Sequence, residues 1–418
     1  MQRPSPWLML VVVLLGLLLL REPAFRQWDE VYLRWLLKHS QPAGPQVPLT
    51  VVEIGRDPLM EKAPPGEDPA AATGATQVAS GIAISPLEFA LFLQSALEFQ
   101  PEVVAFETVL RWRERDKDQE QVFIDQAMRV PKLLLGAELT STPDPDAPVV
   151  EFRGFKEVKG RRGNLPEFSG VGRQPAEDMR LISTVGFVNL PDEVTTPLRV
   201  PLLFLYRGEV VPAFPLQAIL LWLRITAAEV KIEIGSHIEL PGGKKIPIGS
   251  DGTVVVHPNG ETKARRLTLN ELLLATQHRE SPNESERTLT DLKEHIVLAR
   301  TPANPLAPPD VFAATIATIQ SNTYLRRITW LVDCVLLIAI AACATFVSKM
   351  DRTDLILAGI AVSAGYCLAA LAILDRWQIW LPGTLPIGTI WLLVLFGLIF
   401  RKRDPAAGTT VAIPPPLP

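Results

Sequence analysis

Three apolar runs close together near the C-terminal end, Ile328–Val347, Leu355–Leu374 and Ile379–Phe400, constrain this chain more than any other feature. Each approaches the roughly 20 residues, at ~1.5 Å rise apiece, that a helix needs to cross a ~30 Å hydrocarbon core. They predict three transmembrane helices. A fourth apolar run, Trp7–Leu20, opens the chain. The expected organisation is an N-terminal anchor over 1–20, an extracytoplasmic domain over 21–327, a three-helix membrane region over 328–400 and a short cytoplasmic tail over 401–418.

Charge sets the orientation. Arg401-Lys402-Arg403 follow the last run at once, and Lys349 and Arg352 lie between the first two of the three runs. Cytoplasmic loops carry the excess of lysine and arginine, so both clusters are placed in the cytoplasm. Four crossings then put the N-terminus with Arg3 on that side and residues 21–327 on the other. Arg21, Arg26, Arg326 and Arg327 oppose this weakly, because long translocated domains escape the charge rule. The expected localisation is the inner membrane of a bacterium, multi-pass, with a large periplasmic or extracellular domain. Trp7–Leu20 has the length of a signal-peptide apolar region, but Arg21-Glu22-Pro23-Ala24-Phe25-Arg26 offers no small-x-small cleavage site, which favours an uncleaved anchor. Trp330, Trp377 and Trp380 fall at span ends, where indole suits the headgroup level. Asp333 is read as a carboxylate that hydrates or pairs near the outer interface, Arg376 being a candidate partner, ahead of a functional intramembrane group. Pro382, Gly383, Pro386 and Gly388 are expected to kink the last span.

The block between the attachments has room for one large domain, and no repeat of solenoid period is visible. A net charge of −4 creates no field that would recruit nucleic acid, and no nucleic-acid-binding motif is present. All three cysteines, Cys334, Cys343 and Cys367, lie in predicted spans. The external block therefore has no disulfide, cysteine zinc cluster or cysteine nucleophile to draw on, and its stability must come from a buried core.

Phe25, Trp28, Val31, Tyr32, Trp35 and Leu36 recur at helical spacing and predict an amphipathic helix. Its apolar face is open to lipid or to the external domain, the domain being favoured. Val47–Ile54 reads as a buried strand, and Ala63–Ser80 as a loop. Ser85, Pro86 and Glu88 resemble a capped helix start that runs through Phe99. Pro101–Glu107, Gln119–Met128 and Lys132–Leu135 then read as strand, helix and strand. This alternation predicts βαβ units and an α/β domain with a mixed, partly parallel sheet. Further strands are expected at Val185–Asn189, Leu198–Tyr206 and Glu209–Pro212, the last two forming a hairpin about Arg207-Gly208. Phe214–Leu223 predicts a helix. Short strands follow at Val230–Ile234, Lys245–Ile248 and Thr253–His257. Leu267–Ala275 is an expected helix, His295–Ala299 a strand and Pro309–Asn322 a helix coupling the domain to the membrane.

The five histidines show no metal-ligand spacing, and no metal or cofactor is expected. No nucleophile elbow, P-loop or dinucleotide fingerprint occurs, so no catalytic residue is assigned and an enzyme is not expected. Three residues stand out as candidate ligand contacts. Glu107 ends a strand expected to be parallel, where ligands of open α/β sheets collect, with helix capping as the plainer role. Asn189 and Arg199 flank a polar turn containing Asp192 and Glu193, and an arginine–aspartate pair stabilising that turn is the alternative. Arg153, Lys156, Lys159, Arg161 and Arg162 form a basic stretch that reads first as a solvated loop and second as an anion cradle.

Val51-Val52-Glu53-Ile54, Pro101–Glu107, Gly186-Phe187-Val188-Asn189, Arg199–Pro201, Val211–Gln217, Gly252-Thr253-Val254 and Ile296-Val297-Leu298 follow one another between one span and three. In this order they resemble the CHASE class of extracellular sensors, of the second type, associated with cyclases and histidine kinases. Glu107 stands where that class usually has Asp, Ser85-Pro86-Leu87-Glu88 is a reduced form of its W-P-x-x-R signature, and Ala299-Arg300-Thr301 replaces its glycine-rich stretch. The resemblance implies a membrane-anchored sensor that binds a small-molecule or envelope ligand. Residues 404–418 are too few for the cytoplasmic output domain usual in that class, so a separate cytoplasmic signalling protein is the expected partner. Dimerisation with a second copy is left open. The alternative is an envelope scaffold or protein-interaction module without signalling.

Overall fold

The computed structural model describes residues 23–40, 45–55, 85–112, 117–142, 152, 154–191, 198–257, 259–279, 289, 291–301, 310–328, 330–347 and 352–399. The predicted span Trp7–Leu20, the loop Ala63–Ser80, Arg153 and the turn residues Asp192 and Glu193 lie outside them. The chain divides into two units, one made of residues 1–41 with 326–418 and the other of residues 42–325. The amphipathic helix α1, Pro23–His39, belongs to the first unit, and the large unit starts at residue 42.

The large unit is built on six parallel strands: β1 (Leu49–Glu53), β2 (Val103–Phe106), β3 (Leu133–Ala137), β4 (Thr184–Phe187), β5 (Arg265–Thr268) and β6 (Ile296–Arg300), in the spatial order β5-β1-β6-β2-β3-β4. Parallel sheets bury both faces, and the inner strands are accordingly buried along nearly their whole length, with no polar alternation. Val52, Val104, Phe106, Leu135 and Val297 meet Phe89 and Phe92 of α2 (Pro86–Glu98), Phe123 of α3 (Lys117–Ala127) and, further along, Leu272 of a later helix on the same face. Val51, Val103, Ala105, Leu134, Ile296 and Leu298 meet the opposite layer, formed by α4 (Phe214–Leu223) and two helices on, with α5 (Leu269–His278) between them in sequence, by α6 (Val311–Ser321). Phe214 and Phe312 join α4 to α6, with ring centroids 5.2 Å apart. The result is a three-layer α/β/α sandwich in which α2, α3 and α5 cover one face.

Local chemistry explains most boundaries. Ser85 caps α2 by accepting from the Leu87 N–H at 3.2 Å, and Pro86 occupies the first turn, where its missing N–H costs nothing. Thr268 and Glu271 form a reciprocal capping box at α5. Arg207 and Gly208, both at positive φ, turn the antiparallel hairpin of Leu203–Tyr206 with Glu209–Pro212. The expected strand Leu198–Tyr206 is broken at Leu202 into Arg199–Pro201 and Leu203–Tyr206, which enter different sheets. Antiparallel pairing is thus confined to small accessory ladders, including Lys231–Glu233, His237–Glu239 and Lys245–Pro247.

In the smaller unit, α1 is joined by the helices α7 (Trp330–Val347), α8 (Arg352–Trp377) and α9 (Thr384–Ile399). Among the described residues, α8 is the helix long and apolar enough to cross a bilayer, with 26 residues and a mean hydropathy of 2.2. The expected last span starts late. Ile379–Trp380 forms a short parallel bridge with Arg326–Arg327, and the helix begins at Thr384. Pro382 and Gly383 therefore precede α9, and Pro386 sits in its first turn, where proline needs no hydrogen-bond donor. The anticipated mid-helix kink has no cause there. Asp333 pairs with Arg327 at 3.7 Å, and the Arg376 guanidinium lies instead over the ring of Trp377.

Candidate functional site

Helices leave neighbouring strands of the sheet toward opposite faces at one place. The chain passes from β1 to α2 and from β2 to α3 on one side, while β6, inserted between those two strands, leads to α6 on the other. Connections that diverge in this way open a crevice beyond the carboxyl ends of the strands, the usual ligand position in doubly wound sheets. Glu107 follows β2 and Arg300 ends β6, so the two residues face each other across the switch point.

Glu107 is buried, and its Oε1 lies 3.8 Å from the Arg300 Nε. The Arg300 Nη1 donates to Asp310 Oδ1, and the same oxygen is 2.9 Å from Nη2 of Arg266. One step along, the hydroxyls of Thr108 and Thr301 are hydrogen-bonded at 3.1 Å. Gly136 of β3 allows this edge to close: a Cβ there would lie 3.0 Å from Val188 Cγ1 and 3.3 Å from the Phe106 carbonyl oxygen. Burial pushes the Glu107 carboxyl up to about 8; Arg300 opposes the shift and Asp310 adds to it. At neutral pH the side chain is therefore mostly a neutral hydrogen-bond donor, leaving Asp310 as the charged partner of both arginines. A neutral carboxyl beside two guanidiniums can hold a small anionic or carbonyl-bearing group by donation from three side chains.

The other two predicted contacts go elsewhere. Asn189 lies beyond β4, where its Oδ1 accepts from Leu139 N–H and its Nδ2 donates to the Leu139 carbonyl, both at 2.8 Å. It clamps an edge segment with its whole amide. Arg199 is half-buried in a two-stranded ladder opposite Val255, outside the six-stranded sheet. The structure thus groups Glu107 with Arg300, Asp310, Arg266, Thr108 and Thr301, and not with Asn189 or Arg199. Arg300 lies one residue past the strand expected at His295–Ala299, which the structure extends to include it. Its adjacency to Glu107 depends on β6 inserting beside β2, which no local pattern encodes.

In the basic stretch, Arg161 and Arg162 are exposed, and Arg162 reaches the Gly208 carbonyl at 3.4 Å. A polar depression of about 180 Å³ lined by Glu229, Lys231, Glu239 and Gly242 lies on an accessory sheet, away from the switch point. Four of the described histidines have hydrogen-bond partners: His39 the Trp35 carbonyl, His237 the Ser236 hydroxyl, His257 the Asn259 N–H and His295 the Thr50 hydroxyl. No family model, curated protein or solved structure matches the chain.

Proposed function

We propose that this chain is a membrane-anchored extracytoplasmic sensor that binds a small ligand at the Glu107–Arg300 edge and relays occupancy to a separate cytoplasmic partner. Four crossings, Trp7–Leu20 and α7 to α9, place Arg401-Lys402-Arg403 in the cytoplasm and the parallel-sheet unit outside. The supporting observation is the double role of Asp310. It pairs with Arg300 and Arg266, and it is the residue that begins α6. A ligand that takes over those arginines releases Asp310, and the helix it starts runs, through residues 322–325, into the chain that enters the membrane. Chemistry is not part of the proposal.

The test is a thermal-shift screen of the full-length protein in nanodiscs against small anionic and carbonyl metabolites. A stabilising compound whose effect disappears in Arg266→Gln, a substitution at a partly exposed position, supports the proposal. Absence of any stabilising compound together with a co-purifying envelope protein favours the scaffold alternative. Protease accessibility that placed residues 42–325 in the cytosol would end both.

A further inference from the structure

The helix α1 has two apolar faces, and one of them is uncovered. Its inward side carries Asp29 and Tyr32: the Asp29 Oδ1 accepts from the Thr384 N–H at 3.0 Å, capping the start of α9, and the Tyr32 ring lies where a Cβ on Gly383 would be 2.3 Å away. This fixes α1 at the start of α9, within the same unit. Its outward side presents Trp28, Val31 and Trp35, at 65, 59 and 45 % exposure. Spaced i, i+3 and i+7, they form a single stripe along the helix.

The geometry points to the lipid bilayer interface as the occupant of this stripe, with α1 lying in the plane of the membrane as a collar on the outer ends of the bundle. The apolar surface does not stop at α1. Val362 and Leu368 of α8 are 55 and 68 % exposed, and Trp377 at its end is 61 % exposed, so the stripe continues an apolar belt that a bilayer would cover. Indole is the side chain most suited to the level at which α1 is held, because its ring is apolar and its N–H can stay hydrated. Lys38 is exposed at the edge of the stripe, placed to reach anionic headgroups. A collar of this kind would make the α1 position sensitive to lipid packing and surface charge.

The inference rests on α8 crossing the bilayer, so the experiment checks both separately. In a full-length chain with Cys334, Cys343 and Cys367 replaced by alanine, single cysteines at Trp28, Val31, Trp35 or Val362 are labelled with bimane and reconstituted into vesicles. Brominated acyl chains and aqueous iodide serve as the two quenchers. The expected result is loss of fluorescence to shallow bromine at positions 28, 31 and 35, and to deep bromine at 362. Iodide quenching at 31 and 35 without bromine quenching, while 362 stays lipid-quenched, would overturn the collar alone. Protection from both quenchers at 31 and 35 would also overturn it, since a protein would then cover the stripe. No bromine quenching at 362 would overturn the membrane helix as well.

Discussion

Each unit of the chain contains an arginine between two carboxylates: Glu107–Arg300–Asp310 in the parallel-sheet unit and Asp29–Arg327–Asp333 in the membrane unit. The settings differ. Around Arg300, which is 11 % exposed, a second cation, Arg266, shares Asp310, and burial favours protonation of Glu107, so one positive charge is left in surplus. Around Arg327, which is 41 % exposed, Asp29 spends one oxygen capping α9, and the Asp333 Oδ1 has no hydrogen-bond partner. The first is an interlinked, largely buried cluster with one positive charge in surplus. The second is a joint between elements, with charge to spare.

If that contrast is sound, the largest effect belongs to Arg300. Replacement by methionine leaves the partly buried Asp310 beside one remaining cation, Arg266, and removing one partner of a buried pair costs up to about 3–5 kcal/mol. Thermal unfolding of the full-length protein should show the large unit strongly destabilised. A loss below about 1 kcal/mol would mean that the cluster is hydrated and not closed.

Glu107 sharpens the same point through pH. Its folded pKa, about 8, lies above that of an unfolded glutamate. The folded state therefore holds a proton that the unfolded chain has released, and the stability this group contributes is full below the unfolded value. It is lost as pH rises through the folded one, at no more than about 1.4 kcal/mol per pH unit. Glu107→Gln keeps a neutral side chain of the same shape. It is expected to flatten the fall in stability between roughly pH 5 and 8, measured by melting in a pH series. An unchanged pH profile would place the carboxylate in water.

The joint responds to shape more than to charge. Gly383→Ala sets a methyl 2.3 Å from the Tyr32 ring and must displace α1, whereas Gly365→Ala on α8 meets nothing within 4 Å. Overpacking of this kind costs about 1–3 kcal/mol. Limited proteolysis should cut the α1 segment faster in the first variant and not in the second.

Much of this architecture is legible in the chain, because burial of both sheet faces writes apolar runs such as Val103–Phe106 and Ile296–Ala299. Helix Phe214–Leu223 is legible for the same reason. Strand Arg265–Thr268 is not: on the sheet edge its two arginines are exposed, and it carries no apolar run. The candidate site was half legible. Glu107 followed from its place at a strand end, but Asp310 and Arg266 meet it only through the insertion of β6 between β1 and β2. Asn189 misled because its amide, which could read a ligand, satisfies Leu139 instead. The start of α9 was misread because Ile379 and Trp380 are as apolar as the helix that follows, and a short strand pairing leaves no mark in hydropathy.

The smallest effect tests the joint from the charge side. Asp333 is buried, and it shares its arginine with Asp29. Asn at this position keeps the shape, removes one negative charge from a cluster with a single cation, and supplies an N–H that can donate to Asp29. An uncompensated buried carboxylate is costly, so its loss should be neutral or stabilising by up to about 1 kcal/mol. The comparison predicts opposite signs for Arg300→Met and Asp333→Asn in the same melting assay. A clear loss of stability in the second would show that Arg327 is as fully committed to its carboxylates as Arg300 is, and the two clusters would then be equivalent.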